Sequence, residues 1–313
     1  MNPRGALALV LASLLWGTTG TAAAFLPANV SPLATGAVTM TIGGILLFAV
    51  SARGSLGVLR ERVPRNWTLL GAVGVFVYPL AFYSSMHLAG VAVGNVVTLG
   101  SGPVFAALLE WAIERRRPSA RWMACTSVAA GGIVLLGAFG TSGAFGTTDV
   151  FGTTDVFGHP DAAAASSSAW GVVLGLLAGF AYALYAYCSS RAIATGHASG
   201  SVIGAMFGVG ALVLLPVLVV TGAPLLQSSS SIGIAAYLAI GPMFLAYLAF
   251  GYGLRDIRTS TATTITLIEP VVATVLAVVV LHEQLGALGW VGMGLIMIGI
   301  VGLSSARRSA GTT

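Results

Sequence analysis

The 313-residue sequence contains no lysine, only two cysteines, and charged residues at just 7% of its length. Soluble domains carry about 25% charged residues, so this chain lacks the polar surface that a water-soluble body of its size needs. The absence of lysine also weakens any nucleic-acid reading of the net charge of +5. All fourteen cations are arginines, set in short clusters between apolar runs. Charge placed that way reads as membrane topology rather than a patch that tracks phosphates. Cys125 and Cys188 both lie inside apolar runs and share no ligand spacing, so they read as buried, inert thiols, with no metal site and no disulfide framework. Catalytic motifs are missing too. There is no HExxH helix and no carboxylate pair suited to an aspartyl membrane protease, and Gly100-Ser101-Gly102 lacks nucleophile-elbow spacing. An intramembrane enzyme is therefore a distant alternative, and no cofactor is expected.

What the sequence has in abundance is apolar residues, at 57%, and glycine, at 42 positions. Glycine lets helices approach closely inside a bilayer. A hydrocarbon core of about 30 Å needs ~20 helical residues per span. Such runs occur at 5–26, 32–52, 67–88, 92–113 and 119–139, and again at 168–190, 199–221, 232–254, 259–281 and 285–306. The first follows Arg4 without a cleavage-like small-x-small site, so it reads as a retained span rather than a signal peptide. With ten spans and an inward N-terminus, all fourteen arginines fall on the cytoplasmic side and none on the other. That is the positive-inside pattern, with both termini cytoplasmic in a bacterial-type inner (plasma) membrane.

The segment 140–167 is the one long connection. It holds Asp149, Asp155 and Asp161 and writes the hexad Phe-Gly-Thr-Thr-Asp-Val twice, at 145–150 and 151–156. Its composition reads as an extracytoplasmic linker; the alternative reading is a calcium-binding turn. It divides the chain into 1–139 and 168–313, and these resemble each other. Leu80-Ala81-Phe82 recurs as Leu248-Ala249-Phe250, Thr98-Leu99 as Thr266-Leu267, and Pro103-Val104 as Pro270-Val271 after one residue of slippage. Five spans per half, an odd number, makes the repeat inverted, an arrangement that places a substrate site near the midplane.

Leu15-Trp16-Gly17, the run from Phe82 to Met86 and Ser101-Gly102-Pro103-Val104-Phe105 carry a family resemblance, strengthened by the run from Thr266 to Val271 and by Leu281-His282-Glu283. The chain resembles the drug/metabolite transporter superfamily in its ten-helix EamA-type branch, and is similar to bacterial aromatic amino acid exporters. The resemblance covers almost everything outside 140–167. It implies an all-α membrane fold of two inverted five-helix repeats, alternating access, and export of metabolites or amino acids. The first repeat of such proteins often closes its fourth span in Leu-Gly-Glu-Arg; here the acid is displaced, in Ile113-Glu114-Arg115-Arg116, and no role is assigned to it.

Candidate transport residues follow from what a bilayer tolerates. Glu269 is the one carboxylate near a span centre, where a charge costs at least ~2.5–3.5 kcal/mol. It faces the bundle interior and holds a substrate amine, carries a proton, or locks a structural hydrogen bond. Asn95, Thr98 and Ser101 share one side of the fourth span, and Thr263, Thr266 and Glu269 take the matching positions on the ninth. Pro103 and Pro270 free a backbone carbonyl one turn earlier and are hinge candidates. Trp16, Tyr78, Phe82, Tyr83, Tyr182 and Tyr185 supply aromatic surface within spans. Glu110 reads as structural, within reach of the arginines. Gly171, Gly175 and Gly179 form a stripe for tight helix packing. No cation sits mid-span, which disfavours phosphorylated cargo. Neutral or aromatic amino acids fit best, with cationic drugs or amines as the alternative. The expected partners are a small-molecule substrate and the lipid bilayer, the chain acting as a monomer or homodimer and binding no nucleic acid.

Overall fold

The computed structural model describes residues 3–27, 29–89, 91–115, 118–139, 162–280 and 286–304. All regular structure among the described residues is helical. Lipid offers no partner for free N–H and C=O groups, and a helix satisfies them within one segment. The first part of the chain forms α1 (Pro3–Ala24), α2 (Pro32–Val50), the short α3 (Ala52–Arg60), α4 (Arg62–Ala89), α5 (Val91–Glu114) and α6 (Ala120–Phe139). After the gap come α7 (Ala162–Ile193) and α8 (Ser199–Thr221). A rod follows, in which α9 (Ser229–Leu238) runs through a π-helical turn (Ala239–Leu245) into α10 (Ala246–Asp256). The chain closes with α11 (Thr259–Ile265), α12 (Ile268–Val280) and α13 (Ala287–Ser304). Helix α7 reaches back to Ala162, into the segment read as linker; residues 140–161, with the repeated hexad, lie outside the described residues, as do His282 and Glu283.

Local chemistry sets several of these boundaries. Ser31 accepts the Ala34 N–H at 3.1 Å just before Pro32 opens α2, and Ser228 accepts the Ser231 N–H at 3.0 Å before α9. Both are side-chain caps on amides that have no partner inside the helix. Six stretches among the described residues are long and apolar enough to cross a membrane: Pro3–Ala23, Leu33–Val50, Trp170–Ile193, Ser199–Thr221, Ser229–Asp256 and Thr259–Val280. Shorter apolar helices cover Ala120–Leu135 and Ala287–Gly299. Large apolar side chains also face outward, among them Leu212, Val219 and Val220 on α8, while Ile203, Phe207 and Leu214 on the same helix are fully buried. A helix apolar all round belongs in lipid.

The closest helix pairs are α4 with α7, α6 with α13, α2 with α8, and α5 with α7; α1 lies against both α10 and α12. Glycine permits these approaches. On α2, a Cβ at Gly44 would stand 2.6 Å from the Phe207 carbonyl oxygen of α8; on α8, a Cβ at Gly204 would stand 2.5 Å from the Leu47 carbonyl oxygen of α2. On α6, one at Gly132 would stand 2.5 Å from the Gly292 oxygen of α13. The stripe expected on α7 is used in the same way: a Cβ at Gly179 would meet the Thr98 carbonyl oxygen at 2.8 Å, and one at Gly175 the Ser85 hydroxyl at 2.9 Å.

Gly204→Ala therefore forces backbone apart and should cost about 1–3 kcal/mol. Gly233→Ala on α9, where a Cβ meets nothing within 4 Å, should be neutral or slightly stabilising. Thermal unfolding of the two variants in detergent checks this; equal midpoints would remove close α2–α8 packing as a determinant of stability.

Candidate functional site

Helices α1, α2, α4, α5, α7, α12 and the α9–α10 rod surround a cavity of about 110 Å³, room for a few waters. Its position follows from residue numbers. Trp16 and Thr19 of α1, Gly36, Thr39 and Met40 of α2, Tyr78, Pro79 and Phe82 of α4, and Leu99 of α5 line it. All of these lie in the half of each helix away from the arginine-bearing ends. Tyr182 and Tyr185 of α7, Pro242 and Tyr247 of the α9–α10 rod, and Glu269 in the first turn of α12 close it. Two of its walls carry prolines inside the helix, Pro79 in α4 and Pro242 in the π-helical turn. Each removes an amide donor and loosens the backbone ladder at cavity level.

Six aromatic side chains stand in the described wall. Tyr78 and Phe82 stack, with centroids 5.4 Å apart and planes 9° from parallel, one turn apart on α4. Tyr78 also meets Tyr182 and Tyr185, each at 6.1 Å. Trp16 packs against Tyr247 at 4.9 Å and Phe250 at 5.3 Å, and Phe207 lies 4.4 Å from Tyr247. The tyrosine hydroxyls are held. Tyr185 and Tyr247 share a hydrogen bond of 2.9 Å, and Tyr182 bonds the Thr266 hydroxyl at 2.8 Å. Thr266 in turn donates to the Thr263 carbonyl at 2.9 Å, so the Tyr182 hydroxyl is the donor of that pair.

Glu269 sits in the first turn of α12, at the positive end of that helix dipole. The turn that carries it is shaped by Pro270. Lacking an N–H, Pro270 leaves the Thr266 carbonyl without its usual helical partner, and the Glu269 N–H takes it at 2.9 Å instead. The helix is interrupted at Thr266 and Leu267, between α11 and α12. Gly17 lets α1 reach this break: a Cβ there would stand 2.6 Å from Val272 and 3.1 Å from the Glu269 carbonyl oxygen. Trp16 is thereby delivered to the same cavity as Glu269. The matching proline of the first part behaves differently, since α5 runs unbroken through Pro103.

Of the residues singled out from the sequence, Trp16, Tyr78, Phe82, Tyr182, Tyr185 and Glu269 come together around the cavity. Thr266 stands one bond behind it. Thr98 donates across to the Gly175 carbonyl of α7 at 3.2 Å, while Ser101, close to Gly179 of α7, donates back along α5 to the Thr98 carbonyl at 3.2 Å. Thr263 donates back along α11 to Thr259 and Ser260. These three serve helix packing, because a hydroxyl buried between helices finds a carbonyl nearby. The side chains of Tyr83 and Asn95 lie outside what the structure describes. Among the wall residues that sequence reasoning left out of the site, Tyr247 carried a signal as a mid-span tyrosine and Pro79 and Pro242 as in-span prolines; Met40, Leu99, Leu238 and Met243 are indistinguishable from core by type. A shallower groove of about 550 Å³ runs farther out between α1, α9 and α12, where Thr18 and Tyr237 share a hydrogen bond of 2.7 Å.

The opposite, arginine-bearing end is closed by charge. The buried Glu110 of α5 accepts from Arg258 at 2.6 Å, from the Ser260 hydroxyl at 2.8 Å and from the Ser260 amide at 2.9 Å. One turn on, Glu114 pairs with Arg191 at 3.3 Å and accepts from the Tyr187 hydroxyl at 3.2 Å. Arg191 also lies 5.6 Å over the Trp67 ring. Two acids on α5 thus tie it to α7 and α11.

The EamA-like transporter family model matches this chain twice, over residues 3–138 and 169–305. An uncharacterized transporter of Bacillus subtilis (strain 168), YwfM, is 30% identical over 313 residues, covering 98% of this chain and 95% of its own length. The uncharacterized inner membrane transporter YedA of Escherichia coli (strain K12) is 26% identical over 141 residues, 44% of each chain. A solved crystal structure superposes with a TM-score of 0.77 over 100% of both chains at 20% identity, a likeness of fold alone.

Glu110→Gln places an amide donor among three donors and should cost about 1–3 kcal/mol of stability, towards the lower end because Arg258 is half exposed. Denaturation of the purified variant checks this, and an unchanged midpoint would mean that the cluster contributes nothing.

Proposed function

The chain belongs to the EamA-like transporter family, a family of membrane transporters, and on that premise we propose that it exports small metabolites carrying an amino group, neutral or aromatic amino acids foremost, by alternating access between two inverted five-helix repeats. The observation that carries the substrate reading is the cavity itself: aromatic on several sides, with one carboxylate and no Arg, Lys or His among the described residues of its walls. A protonated amine is attracted both to Glu269 and to the faces of the surrounding rings, while an apolar side chain fills the aromatic wall. A phosphorylated cargo would find no cation to meet it.

The inverted-repeat reading draws support from the helix pairings. If the repeat relates α1 to α7, α2 to α8, α4 to the α9–α10 rod, α5 to α11–α12, and α6 to α13, the packing of α4 on α7 becomes that of α10 on α1. Likewise α5 on α7 becomes α12 on α1, and α4 on α8 becomes the π-helical turn on α2. The pairs α2–α8 and α6–α13 map onto themselves. All of these pairings are present, and two successive matches to one family model agree with them. Ten spans, termini inside, in a bacterial-type inner membrane remains the topology that puts every arginine on one side.

Two experiments bear on this reading. In proteoliposomes, Glu269→Gln should lower amino-acid transport by roughly tenfold or more, the loss of one hydrogen bond to a charged group, ~1.5–3 kcal/mol. It should also flatten the rate profile over about pH 5 to 8. Wild-type rates with an unchanged profile would remove Glu269 from the transport site. For topology, single cysteines at positions 56 and 150, in a background without Cys125 and Cys188, should be labelled from opposite sides of the membrane. Labelling of both from outside overturns the ten-span arrangement.

A further inference from the structure

Among the described residues that line the cavity, Trp16 carries a buried donor without a protein partner. The tyrosine hydroxyls of the floor are engaged, Tyr182 with Thr266 and Tyr185 with Tyr247. Thr39 donates to the carbonyls of Thr35 and Gly36 at 2.6 and 3.0 Å. Trp16, which lines the same cavity, is 9% exposed, and its buried indole Nε1–H meets no acceptor of the protein. Buried polar groups are satisfied in the large majority of cases, so an orphan at a binding cavity calls for a partner from outside the chain.

We infer that the Trp16 indole N–H reads a hydrogen-bond acceptor on the cargo, so that the cavity selects molecules carrying a carboxylate beside their amine over amines alone. This rests on the proposed substrate reading and adds to it the group that recognises the acid. The walls support the assignment by what they lack: with no Arg, Lys or His among their described residues, an entering carboxylate finds no guanidinium there, and a neutral donor takes its place. The donor is also held in position. Gly17 seats α1 against Val272 and the Glu269 turn, and the rings of Tyr247 and Phe250, at 4.9 and 5.3 Å, fix the indole. A donor ordered before binding adds specificity at little entropic cost. An analogue without the acceptor leaves this N–H unpaired, and a site built around a hydrogen bond rejects such an analogue far more strongly than one built on shape.

The test measures competition by phenylalanine against phenethylamine, and by leucine against isoamylamine, on the full-length protein in proteoliposomes. It compares the wild type, Trp16→Phe, and a protein in which the Trp16 indole is replaced by benzothiophene. The last keeps the ring's shape and exchanges N–H for sulfur, so the fold is retained even if Trp16→Phe destabilises it. In the wild type each amino acid should compete better than its amine by about tenfold, and in both variants that ratio should collapse towards one. Loss of packing alone would weaken amine and amino acid together and leave the ratio intact. An unchanged ratio in the benzothiophene protein overturns the inference while leaving the transporter's substrate reading standing. A wild type that binds amines better than amino acids also overturns it, in favour of cationic cargo. A wild type that binds neither overturns both.

Discussion

Between helices that carry only apolar side chains, lipid offers the same dispersion as protein does, and the hydrophobic effect gives no reason to associate. What holds this bundle together is therefore backbone proximity: glycine removes the side chain at a crossing, and a hydroxyl from one helix reaches the exposed carbonyl of the next. The pattern recurs along the molecule. Ser85 donates to the Gly171 carbonyl at 2.7 Å, Thr98 to the Gly175 carbonyl at 3.2 Å, Ser51 to the Gly200 carbonyl at 3.0 Å and Ser55 to the Ser201 carbonyl at 3.1 Å. In each case the acceptor is the backbone of a helix start or a glycine-rich face, where small residues let the donor close the distance.

The cavity is where this rule is suspended. Its walls substitute Trp16, Tyr78, Phe82, Tyr182, Tyr185 and Tyr247 for glycine and alanine, and large rings cannot interdigitate as closely as backbones do. Two in-helix prolines at the same level, Pro79 and Pro242, weaken the ladder of hydrogen bonds in the helices that carry them. Pro270 goes further and splits α11 from α12. That break costs one regular helical hydrogen bond, replaced by the tighter Glu269-to-Thr266 contact, and it gives Glu269 a helix terminus to sit on. The unbroken course of α5 past Pro103 makes the two halves unequal. The cavity's described carboxylate thus stands on the broken helix rather than on the continuous one.

Much of this was legible in the sequence, for physical reasons that differ by residue. The membrane class follows from composition alone, because no soluble core can hide 57% hydrophobic residues. Glu269 stood out because a carboxylate in mid-span needs a reason to exist. Trp16, Tyr78, Phe82, Tyr182 and Tyr185 were visible as aromatics away from the interfaces. The threonines were not separable: Thr98, Thr263 and Thr266 share a pattern, yet only Thr266 lies next to the cavity, and which way a hydroxyl turns depends on the neighbouring helix, not on its own spacing. The π-helical turn at Ala239–Leu245 left no trace in periodicity, since an apolar run has no polar face to shift. Likewise, the acid displaced to Glu114 found its meaning only through Arg191, 77 positions away in sequence.

The two ends of the bundle are closed by bonds of different strength. At the arginine-bearing end, Glu110 accepts from Arg258 and twice from Ser260, and Glu114 accepts from Tyr187 and Arg191 among the described residues; hydrogen bonds to charged groups are worth roughly twice neutral ones. At the other end the ties described are neutral, Thr18 with Tyr237 at 2.7 Å and Asn29 with Gln227 at 2.8 Å, and both are exposed. Water competes well for neutral exposed pairs and poorly for a carboxylate buried against three donors. The cavity lies on the side of its tyrosine floor whose described ties are neutral and exposed, while charge-assisted bonds hold the arginine-bearing end. Ser260, which donates twice to Glu110, and Glu269 at the cavity stand on one run of chain, α11 and α12. Three elements therefore touch both the cavity and the Glu110–Glu114 cluster: α5 through Leu99 and the two acids, α7 through Tyr182 and Arg191, and the broken α11–α12 segment through Glu269 and Ser260.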